Sequence, residues 1–177
     1  MFIYHSLRVG KKGKEFYLLK IRTMKEDGGV PTASVKDIRL TKHGKWLRKF
    51  KLDELPTLWN LLRGDIVIVG PRPDTPEEIW SLPKHTRKTI LSIKPGIISP
   101  ATLWNYKEDE ILSSKKNPHK YYTQIIKPVK YKLNMWYVSK KSFWFDIRVI
   151  LAFIFRYFGV KPSKFKIFPP NFNVEYV

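Results

Sequence analysis

The sequence predicts a small α/β domain of the α+β type, in which short strands and surface-associated helices enclose one core. Its 177 residues, 43% of them hydrophobic, are enough for a single buried core. Short apolar runs bounded by turn residues, such as Phe16–Ile21 and Ile66–Val69, indicate strands. Apolar residues at helical spacing between Leu55 and Leu62 indicate helices. We expect residues 1–160 to form this domain and residues 161–177 to form a basic, proline-containing tail.

The first elements are predicted from local patterns. Phe16–Ile21 is a predicted strand because it is short and apolar and follows the turn-like residues 11–14. Residues 25–34, which are polar and include glycine and proline, are predicted to form a loop. Residues 36–50 are predicted to form a basic helix, or two helices broken near Gly44. We expect the apolar members of this segment to join the core: Leu40, Trp46, Leu47 and Phe50.

The next segment is predicted to be a helix followed by the strand at 66–69. Asp53 suits the N-cap, Pro56 falls in the first turn where no intrahelical N–H is lost, and Gly64 is a natural stop. The apolar residues of this helix are Leu55, Leu58, Trp59 and Leu62. Further helices are predicted over Glu77–Ile93, Lys107–Leu112 and Tyr121–Val138, the last with a break at Pro128.

Charge and cysteine content narrow the class of function. The formal net charge of +19 indicates a polyanionic partner, namely a nucleic acid, an anionic membrane face or a phosphorylated substrate. The absence of cysteine excludes disulfides and thiolate metal sites and fits a reducing compartment. The four histidines show no metal-binding spacing.

The segment Ser142–Val160 is apolar on most sides. A helix of this kind is either buried in the core or pressed into a membrane interface, and the pattern leaves both open. No uncharged run approaches the roughly 20 residues that a membrane-spanning helix needs. The amino terminus shows no apolar signal-peptide region.

Asp53 and Glu54 are adjacent carboxylates at a predicted helix start. A carboxylate there accepts backbone N–H bonds and lies at the positive end of the helix dipole, so its ionised form is favoured. A nucleophilic carboxylate must be ionised. Neighbouring helical side chains project about 100° apart, so one carboxylate can attack while the other holds a metal. The simpler alternative is that Asp53 caps the helix and Glu54 is a solvated acid.

Arg72 lies between Pro71 and Pro73, just past the predicted strand. The prolines restrict the backbone, which would hold the planar guanidinium ready for a phosphate. An ordinary surface turn is the alternative. Lys20 and Arg48 are further cations near the same elements, and a solvated charge is the simpler interpretation of each taken singly.

Three segments together resemble the bacterial sugar transferase family. These are the monotopic polyprenyl-phosphate phosphoglycosyl transferases that start capsule, O-antigen and exopolysaccharide assembly. The segments are RVGKKGKEFYLLKIRTM, LRKFKLDELPTLWNLLRGDIVIVGPRP and KLNMWYVSKKSFWFDIRVI. The succession of DELP and GPRP is highly specific, and the resemblance covers about residues 7 to 155.

The resemblance implies a reaction and a role for each candidate residue. Such enzymes transfer a sugar 1-phosphate from a nucleotide diphosphate sugar, here expected to be a UDP-sugar, to polyprenyl phosphate through a phosphosugar intermediate on the aspartate. Asp53 would be the nucleophile and Glu54 the Mg²⁺ ligand, with Lys20, Arg48 and Arg72 handling phosphate. Magnesium is usually held by one or two carboxylates plus substrate phosphates, which fits this set.

Two segments depart from the family pattern. Members carry a basic and then hydrophobic re-entrant helix before the segment matching RVG, and Met1 stands almost where that helix would end. Three explanations stay open: the native protein is truncated, the start site is misplaced, or the chain is a fragment. If the chain is natively this short, it lacks that anchor, and we expect it to bind the anionic cytoplasmic face of the bacterial inner membrane peripherally. Many members read Gly-x-Thr-Gly-x-x-Gln-Val after the Pro-Gly, whereas this chain reads GIISPATLWNYKEDEIL from Gly96. This difference leaves the donor sugar open, and the segment includes an acid cluster, Glu108–Glu110, of unassigned role.

Two rival functions are weighed against this one. A basic nucleic-acid-binding protein would explain the net charge and the interleaved aromatic residues. It would not explain why two acids lie inside the most distinctive segment, so nucleic acid is not the expected partner. An inactive relative, which keeps the fold but does not meet its lipid substrate without an anchor, is the second rival.

Overall fold

Two small sheets organise the fold in the computed structural model, which describes residues 3–24, 40–170 and 172. Strands β1 (Ile3–Val9) and β2 (Glu15–Ile21) pair antiparallel, with Ser6 opposite Leu18. Strands β3 (Val67–Val69) and β4 (Gly96–Ile98) pair in parallel. The predicted α+β class and the predicted strand at 16–21 are confirmed. The loop predicted at 25–34 and residues 36–39 lie outside the described residues.

Helices make up most of the remaining described chain. Their ranges are α1 Lys42–Lys49, α2 Thr57–Leu62, α3 Pro76–Trp80, α4 Lys84–Ile90, α5 Pro100–Trp104, α6 Glu108–Ser113, α7 Pro118–Tyr121, α8 Lys127–Lys140 and α9 Phe143–Arg156. Shorter helical turns lie at Lys11–Gly13, Leu52–Glu54, Tyr122–Ile126 and Pro162–Phe165. Two of the helices, α3 and α4, form the crossover between the parallel strands β3 and β4.

The main core lies where α5, α8 and α9 pack beside β3 and β4. Tyr137 of α8 is fully buried, and its hydroxyl lies 3.0 Å from the Val69 carbonyl oxygen and 2.7 Å from Asp146 Oδ1. Because buried hydroxyls need partners, this contact fixes α8 against both β3 and α9. Ile167, beyond the end of α9, is also fully buried in this core.

Helix α9 combines the two environments that its sequence left open. Phe145, Val149 and Ala152 are buried, at the spacing of one helical face. Ile147, Ile150 and Phe153 are half-buried. A further set of apolar side chains in this helix and just after it is exposed: Phe143, Trp144, Leu151, Ile154, Phe155, Tyr157 and Phe158. One face is therefore core, while the rest of the helix offers apolar surface to its surroundings.

Several details of the predicted helices are wrong. The helix predicted over Glu77–Ile93 is two helices, because Pro83 lacks an N–H and disfavours helical backbone at the residue before it. Gly44 does not break α1. A Cβ there would lie 2.2 Å from the Thr23 carbonyl oxygen, so this glycine allows the helix to approach the backbone just after β2 closely. Pro128 does not interrupt the chain's helical path, since it lies in the first turn of α8.

The predicted core members of residues 36–50 are only partly right. Leu40 is buried, whereas Trp46 and Phe50 are 57% and 54% exposed. These two rings lie 5.2 Å apart on the surface of α1. Of these predicted core members, Leu40 is therefore buried and Leu47 is half-buried, while Trp46 and Phe50 are more than half exposed.

Candidate active site

A polar network attaches α2 to β2 and so positions the acid pair. Asn60 is buried, its Nδ2 donates to the Tyr17 carbonyl oxygen at 2.8 Å, and its Oδ1 accepts from the Leu19 N–H at 3.0 Å. The Thr57 hydroxyl donates to the Leu19 carbonyl oxygen at 2.9 Å. Because two of these bonds are made to Leu19, the residue directly before Lys20, the start of α2 is held beside this part of β2.

The acid pair lies in a tight turn rather than at a helix cap. Lys51 adopts a left-handed backbone conformation with φ of 56°, and Leu52–Glu54 then forms a single 3₁₀ turn. The N-cap of α2 is Pro56, so the prediction that Asp53 caps this helix is wrong. Asp53 is buried, at 9% exposure. The turn places the Asp53 and Glu54 carboxylates at the entrance to α2 without using either as a cap.

Arg72 reaches back from the end of β3 to Glu54. Its Nη2 contacts Glu54 Oε1, and its Nη1 lies 3.5 Å from Glu54 Oε2, so both guanidinium arms face the carboxylate. The Lys20 Nζ lies 3.3 Å from Glu54 Oε1. Glu54 therefore joins one cation from β2 and one from the segment after β3.

Close packing of two glycines fixes the backbone that carries Arg72. The Gly70 N–H donates to the Ile98 carbonyl oxygen at 2.9 Å, and the Gly96 N–H donates to the Pro71 carbonyl oxygen at 2.8 Å. A Cβ on Gly96 would lie 2.2 Å from the Gly70 nitrogen, closer than any side chain allows. The Gly-Pro-Arg-Pro segment thus lies directly against the Lys-Pro-Gly segment.

Electrostatics keep the central carboxylate ionised. Burial alone would raise the pKa of Glu54, but the charges of Arg72 and Lys20 outweigh burial and hold that pKa well below its usual range. Burial and the nearby Arg72 charge lower the pKa of Lys20 to about 8. The carboxylate of Glu54 raises the pKa of Arg72, which stays fully charged. At neutral pH the cluster holds an ionised acid between two cations, of which Lys20 is the titratable one.

All five residues that the sequence singled out line one cavity of about 450 Å³: Lys20, Arg48, Asp53, Glu54 and Arg72. Arg48 enters from α1, where its Nε donates to Thr23 Oγ1 at 3.1 Å. The structure therefore brings together residues from β2, α1, the turn before α2 and the segment after β3. Their arrangement combines two carboxylates with several cations, as a site for a phosphate ester would require.

Other lining residues were not predicted to belong to the site. Lys51, Asn105, Glu108 and Lys130 also line this cavity. Asn105 is buried, its Nδ2 contacts Glu108 Oε2, and its Oδ1 has no partner among the described residues. Glu108 also pairs with the Lys130 ammonium. The acid cluster was the sequence signal for Glu108, whereas no local pattern marks a single asparagine or lysine as a cavity residue.

The cavity has an apolar border. Leu55 and Leu58 line it from the side of α2, and Phe153 and Tyr157 line it from α9. Leu55, Leu58 and Tyr157 are 53%, 50% and 65% exposed, so they form its outer part. Trp59 and Leu62 extend the exposed apolar surface of α2 beyond the cavity. A charged interior is thus bordered by apolar side chains from two helices.

The donor set for a metal ion is small. Among the described residues, no three histidine, aspartate or glutamate side chains converge as a ready-made metal site. Within the cavity, Glu54 Oε1 faces both Lys20 and Arg72, whereas Oε2 faces only the more distant Nη1 of Arg72. Oε2 is therefore the Glu54 oxygen with more capacity for a further ligand.

The sequence matches the bacterial sugar transferase family over residues 1–159. This chain belongs to the bacterial sugar transferase family. The sugar transferase chain is 34% identical to the galactosyl transferase CpsE of Streptococcus agalactiae in an alignment of 163 residues. This alignment covers 84% of this chain and 33% of that protein. It is 32% identical over 168 residues to the UDP-glucose:undecaprenyl-phosphate glucose-1-phosphate transferase of Xanthomonas campestris pv. campestris, covering 90% of this chain and 32% of that protein.

A third relative matches a shorter stretch of the sugar transferase more strongly. The putative undecaprenyl-phosphate N-acetylgalactosaminyl 1-phosphate transferase of Bacillus subtilis is 47% identical over 77 residues, which are 42% of this chain and 43% of that protein. The chain thus spans about a third of the length of the first two relatives and less than half of the third. In the part of the chain that the structure describes, no helix has the length and apolar character needed to cross a membrane.

Proposed function

We propose that this chain transfers a sugar 1-phosphate from a UDP-sugar to polyprenyl phosphate at the cytoplasmic face of the bacterial inner membrane, the first step of exopolysaccharide, capsule or O-antigen synthesis. The observation that carries the proposal is the buried Asp53 beside the ionised Glu54, with Lys20, Arg48 and Arg72 lining the same cavity. Family membership supports it, as do relatives named for sugar 1-phosphate transfer to undecaprenyl phosphate.

Asp53 is the proposed nucleophile. Its carboxylate oxygen attacks the β-phosphorus of the donor, and the bond from that phosphorus to the oxygen bridging the two phosphates breaks. The nucleoside monophosphate leaves with that bridging oxygen, and the sugar phosphate stays on Asp53 as an acyl phosphate. A phosphate oxygen of polyprenyl phosphate then attacks the same phosphorus and releases the Asp53 carboxylate.

The cations have a separate task in this proposal. Lys20, Arg48 and Arg72 hold the negative charge of the diphosphate, and such preorganised charges stabilise the transition state in a site that excludes water. Arg72 suits this task because its planar fork contacts two oxygens at once. Its present partner is Glu54, so the substrate phosphate would share the fork with that carboxylate.

Magnesium fits the residues that are present. We assign Glu54 as its protein ligand, through Oε2, with substrate phosphate oxygens completing the coordination. The small donor set agrees with an ion held mainly by the substrate. When bound, the ion would neutralise charge on the diphosphate and help the nucleoside monophosphate to leave.

The apolar border of the cavity suits the lipid acceptor. Leu55 and Leu58 from α2 and Tyr157 after α9 surround the charged interior, so an amphiphile with a phosphate head can place its chain on the border and its head inside. The net charge of +19 would add attraction to an anionic membrane surface.

Intact-mass spectrometry tests this function. Incubation with Mg²⁺ and UDP-sugars should add the mass of one sugar phosphate to the wild-type chain and none to Asp53→Asn. Glu110→Gln, an acid 68% exposed outside the cavity, is the matched control and should form the adduct normally. An adduct on Asp53→Asn would place the nucleophile elsewhere, and its absence on the wild-type chain with every UDP-sugar would contradict the proposed reaction.

A further inference from the structure

Lys130 is a cation of the candidate active site to which no step of the proposed reaction assigns a role. It belongs to α8, its side chain is 21% exposed, and it lines the cavity that also contains Asp53. Helix α8 packs against α4 and α5, whereas the turn that carries Asp53 packs against β2 and α1. Lys130 and Asp53 therefore enter the cavity from different walls.

Glu108 and its neighbours position the Lys130 ammonium. The Lys130 Nζ contacts Glu108 Oε2, and the same oxygen accepts from Asn105 Nδ2. Asn105 is buried at the end of α5, so it ties this carboxylate to that helix. The centroid of the Tyr122 ring lies 5.0 Å from the Lys130 Nζ, within the range of a cation–π interaction. The chain itself thus holds the ammonium in the cavity wall.

The Lys130 ammonium keeps donors for a ligand. An ammonium has three N–H donors and no acceptor, and its bond to Glu108 uses one of them. Lys20 and Arg72 are paired with Glu54 in the same way. Pairing with an acid is therefore a shared property of these cations and leaves each of them able to bind a phosphate, through hydrogen bonds strengthened by charge.

The cavity thus contains two groups of paired charges. One joins Arg72 to Glu54, and the other joins Lys130 to Glu108. The two groups are close to each other, because the charge of Glu108 adds to that of Glu54 in raising the pKa of Arg72. A diphosphate also consists of two linked charged groups, so one of its phosphates can lie at each group of paired charges.

The two steps of the proposed reaction need one position for the phosphate that does not carry the sugar. In phosphoryl transfer the attacking and leaving oxygens lie roughly in line. In the first step the bond from Asp53 to phosphorus forms while the bond to the bridging oxygen breaks on the opposite side. In the second step an oxygen of polyprenyl phosphate forms its bond on that side while the bond to Asp53 breaks. The departing and the incoming phosphate therefore occupy the same position in turn.

We infer that Lys130 binds the phosphate opposite Asp53 in both steps, first that of the leaving nucleoside monophosphate and then that of polyprenyl phosphate. This assignment rests on the proposed function and adds to it a phosphate-binding residue from α8. The wall that carries Lys130 is distinct from the wall that carries Asp53, as a position for the leaving oxygen requires. Lys20 and Arg72, which contact Glu54, remain with the phosphate that reacts.

Intact-mass spectrometry at single turnover measures the two steps separately. The rate of adduct formation with Mg²⁺ and the UDP-sugar that loads the wild-type chain reports the first step. The rate at which undecaprenyl phosphate in detergent micelles removes the accumulated adduct reports the second. Lys130→Met should slow each step about tenfold or more, as the loss of one hydrogen bond between charged groups predicts. Lys130→Arg keeps the charge and should recover most of both rates.

Lys132→Met is the matched control, because Lys132 is exposed on the same helix and does not line the cavity. Both of its rates should stay within twofold of wild type. The double variant Glu108→Gln/Lys130→Met removes both charges of the pair, so that no acid is left unpaired if Lys130→Met alone fails to fold. It should show the same losses as Lys130→Met, with circular dichroism confirming its fold.

The outcomes separate this assignment from the proposed function. A folded Lys130→Met chain that forms and discharges the adduct at wild-type rates would overturn the role of Lys130 alone. Slowing of only one step would show that the two phosphates do not share a position at Lys130 and would also overturn the assignment. A wild-type chain that forms no adduct with any UDP-sugar would overturn the proposed function together with it.

Discussion

Replacing Arg72 by lysine tests whether a planar fork, rather than a positive charge, is needed beside Glu54. The guanidinium places Nη2 on Glu54 Oε1 and Nη1 3.5 Å from Oε2. An ammonium can keep the charge but cannot reach both oxygens in one plane. Arg72→Lys therefore removes one contact of the pair and leaves the net charge of the site unchanged.

The expected loss follows from the proposed role of the same fork in holding the substrate phosphate, to which a lysine would make one hydrogen bond fewer. A hydrogen bond to a charged group contributes about 1.5–3 kcal/mol. Because the Arg72 side chain is 40% exposed, solvent screening favours the lower end of that range. About 1.5 kcal/mol of transition-state stabilisation corresponds to a roughly tenfold decrease in kcat/KM for the UDP-sugar.

The assay measures nucleoside monophosphate release at limiting UDP-sugar, with circular dichroism to confirm that the variant is folded. Arg63→Lys is the matched control, since Arg63 is 64% exposed and its Nε lies 3.7 Å from Asp65 Oδ2 outside the cavity. We expect that control to stay within twofold of wild type, because exposed ion pairs contribute little. A kcat/KM for Arg72→Lys that also stays within twofold would refute the proposed need for a fork.

Two further predictions concern pH and the membrane. The Lys20 ammonium faces two carboxylates, Glu54 and Asp53, and two other cations, Arg72 and Arg8. Its pKa is lowered to about 8, so its positive charge is lost as the pH rises through 8. Donor turnover that needs this ammonium should therefore persist below pH 8 and decline above it. Lys20→Arg should move the decline to higher pH, and a profile flat to pH 9.5 would contradict the role. The chain should float with anionic vesicles at low salt and leave them at high salt, because salt screens its positive charge. Leu62 is 79% exposed, and Leu62→Ser should weaken flotation. Retention on neutral vesicles at high salt would show that apolar insertion, not charge, dominates.

The sequence could predict the part of the site that lies within one short stretch of the chain. Glu54 and Arg72 are 18 positions apart, and the helix and strand between them bring Arg72 back beside Glu54. The turn residues that end α2 and β3, Gly64 and Gly70, are visible in the sequence. Local patterns therefore indicated that the acid pair and Arg72 belong together.

The contacts from distant elements were not open to prediction in the same way. Lys20 reaches Glu54 because Asn60 and Thr57 attach α2 to the backbone of β2, and a buried asparagine leaves no periodic signal. The family resemblance, rather than spacing, had indicated Lys20.

Helical spacing also predicts an apolar face without saying what covers it. In a water-soluble helix, apolar residues at the spacing of Leu55, Leu58 and Leu62 ordinarily face the core. Here all three are at least half exposed, and Trp59 beside them is 56% exposed. A pattern of periodicity is the same for a face covered by protein and for one covered by lipid, so the sequence alone could not decide between them.

The position of the exposed apolar residues beside the charged cavity indicates that they serve the site. If they were unrelated to the site, they would have no reason to border it, yet Leu55, Leu58 and Tyr157 line the same cavity as Asp53. A lipid with a phosphate head needs both environments within one molecular length, because its chain leaves water while its head meets cations. The proposed acceptor would then arrive along the apolar border, with its phosphate head among the cations that line the same cavity as Asp53.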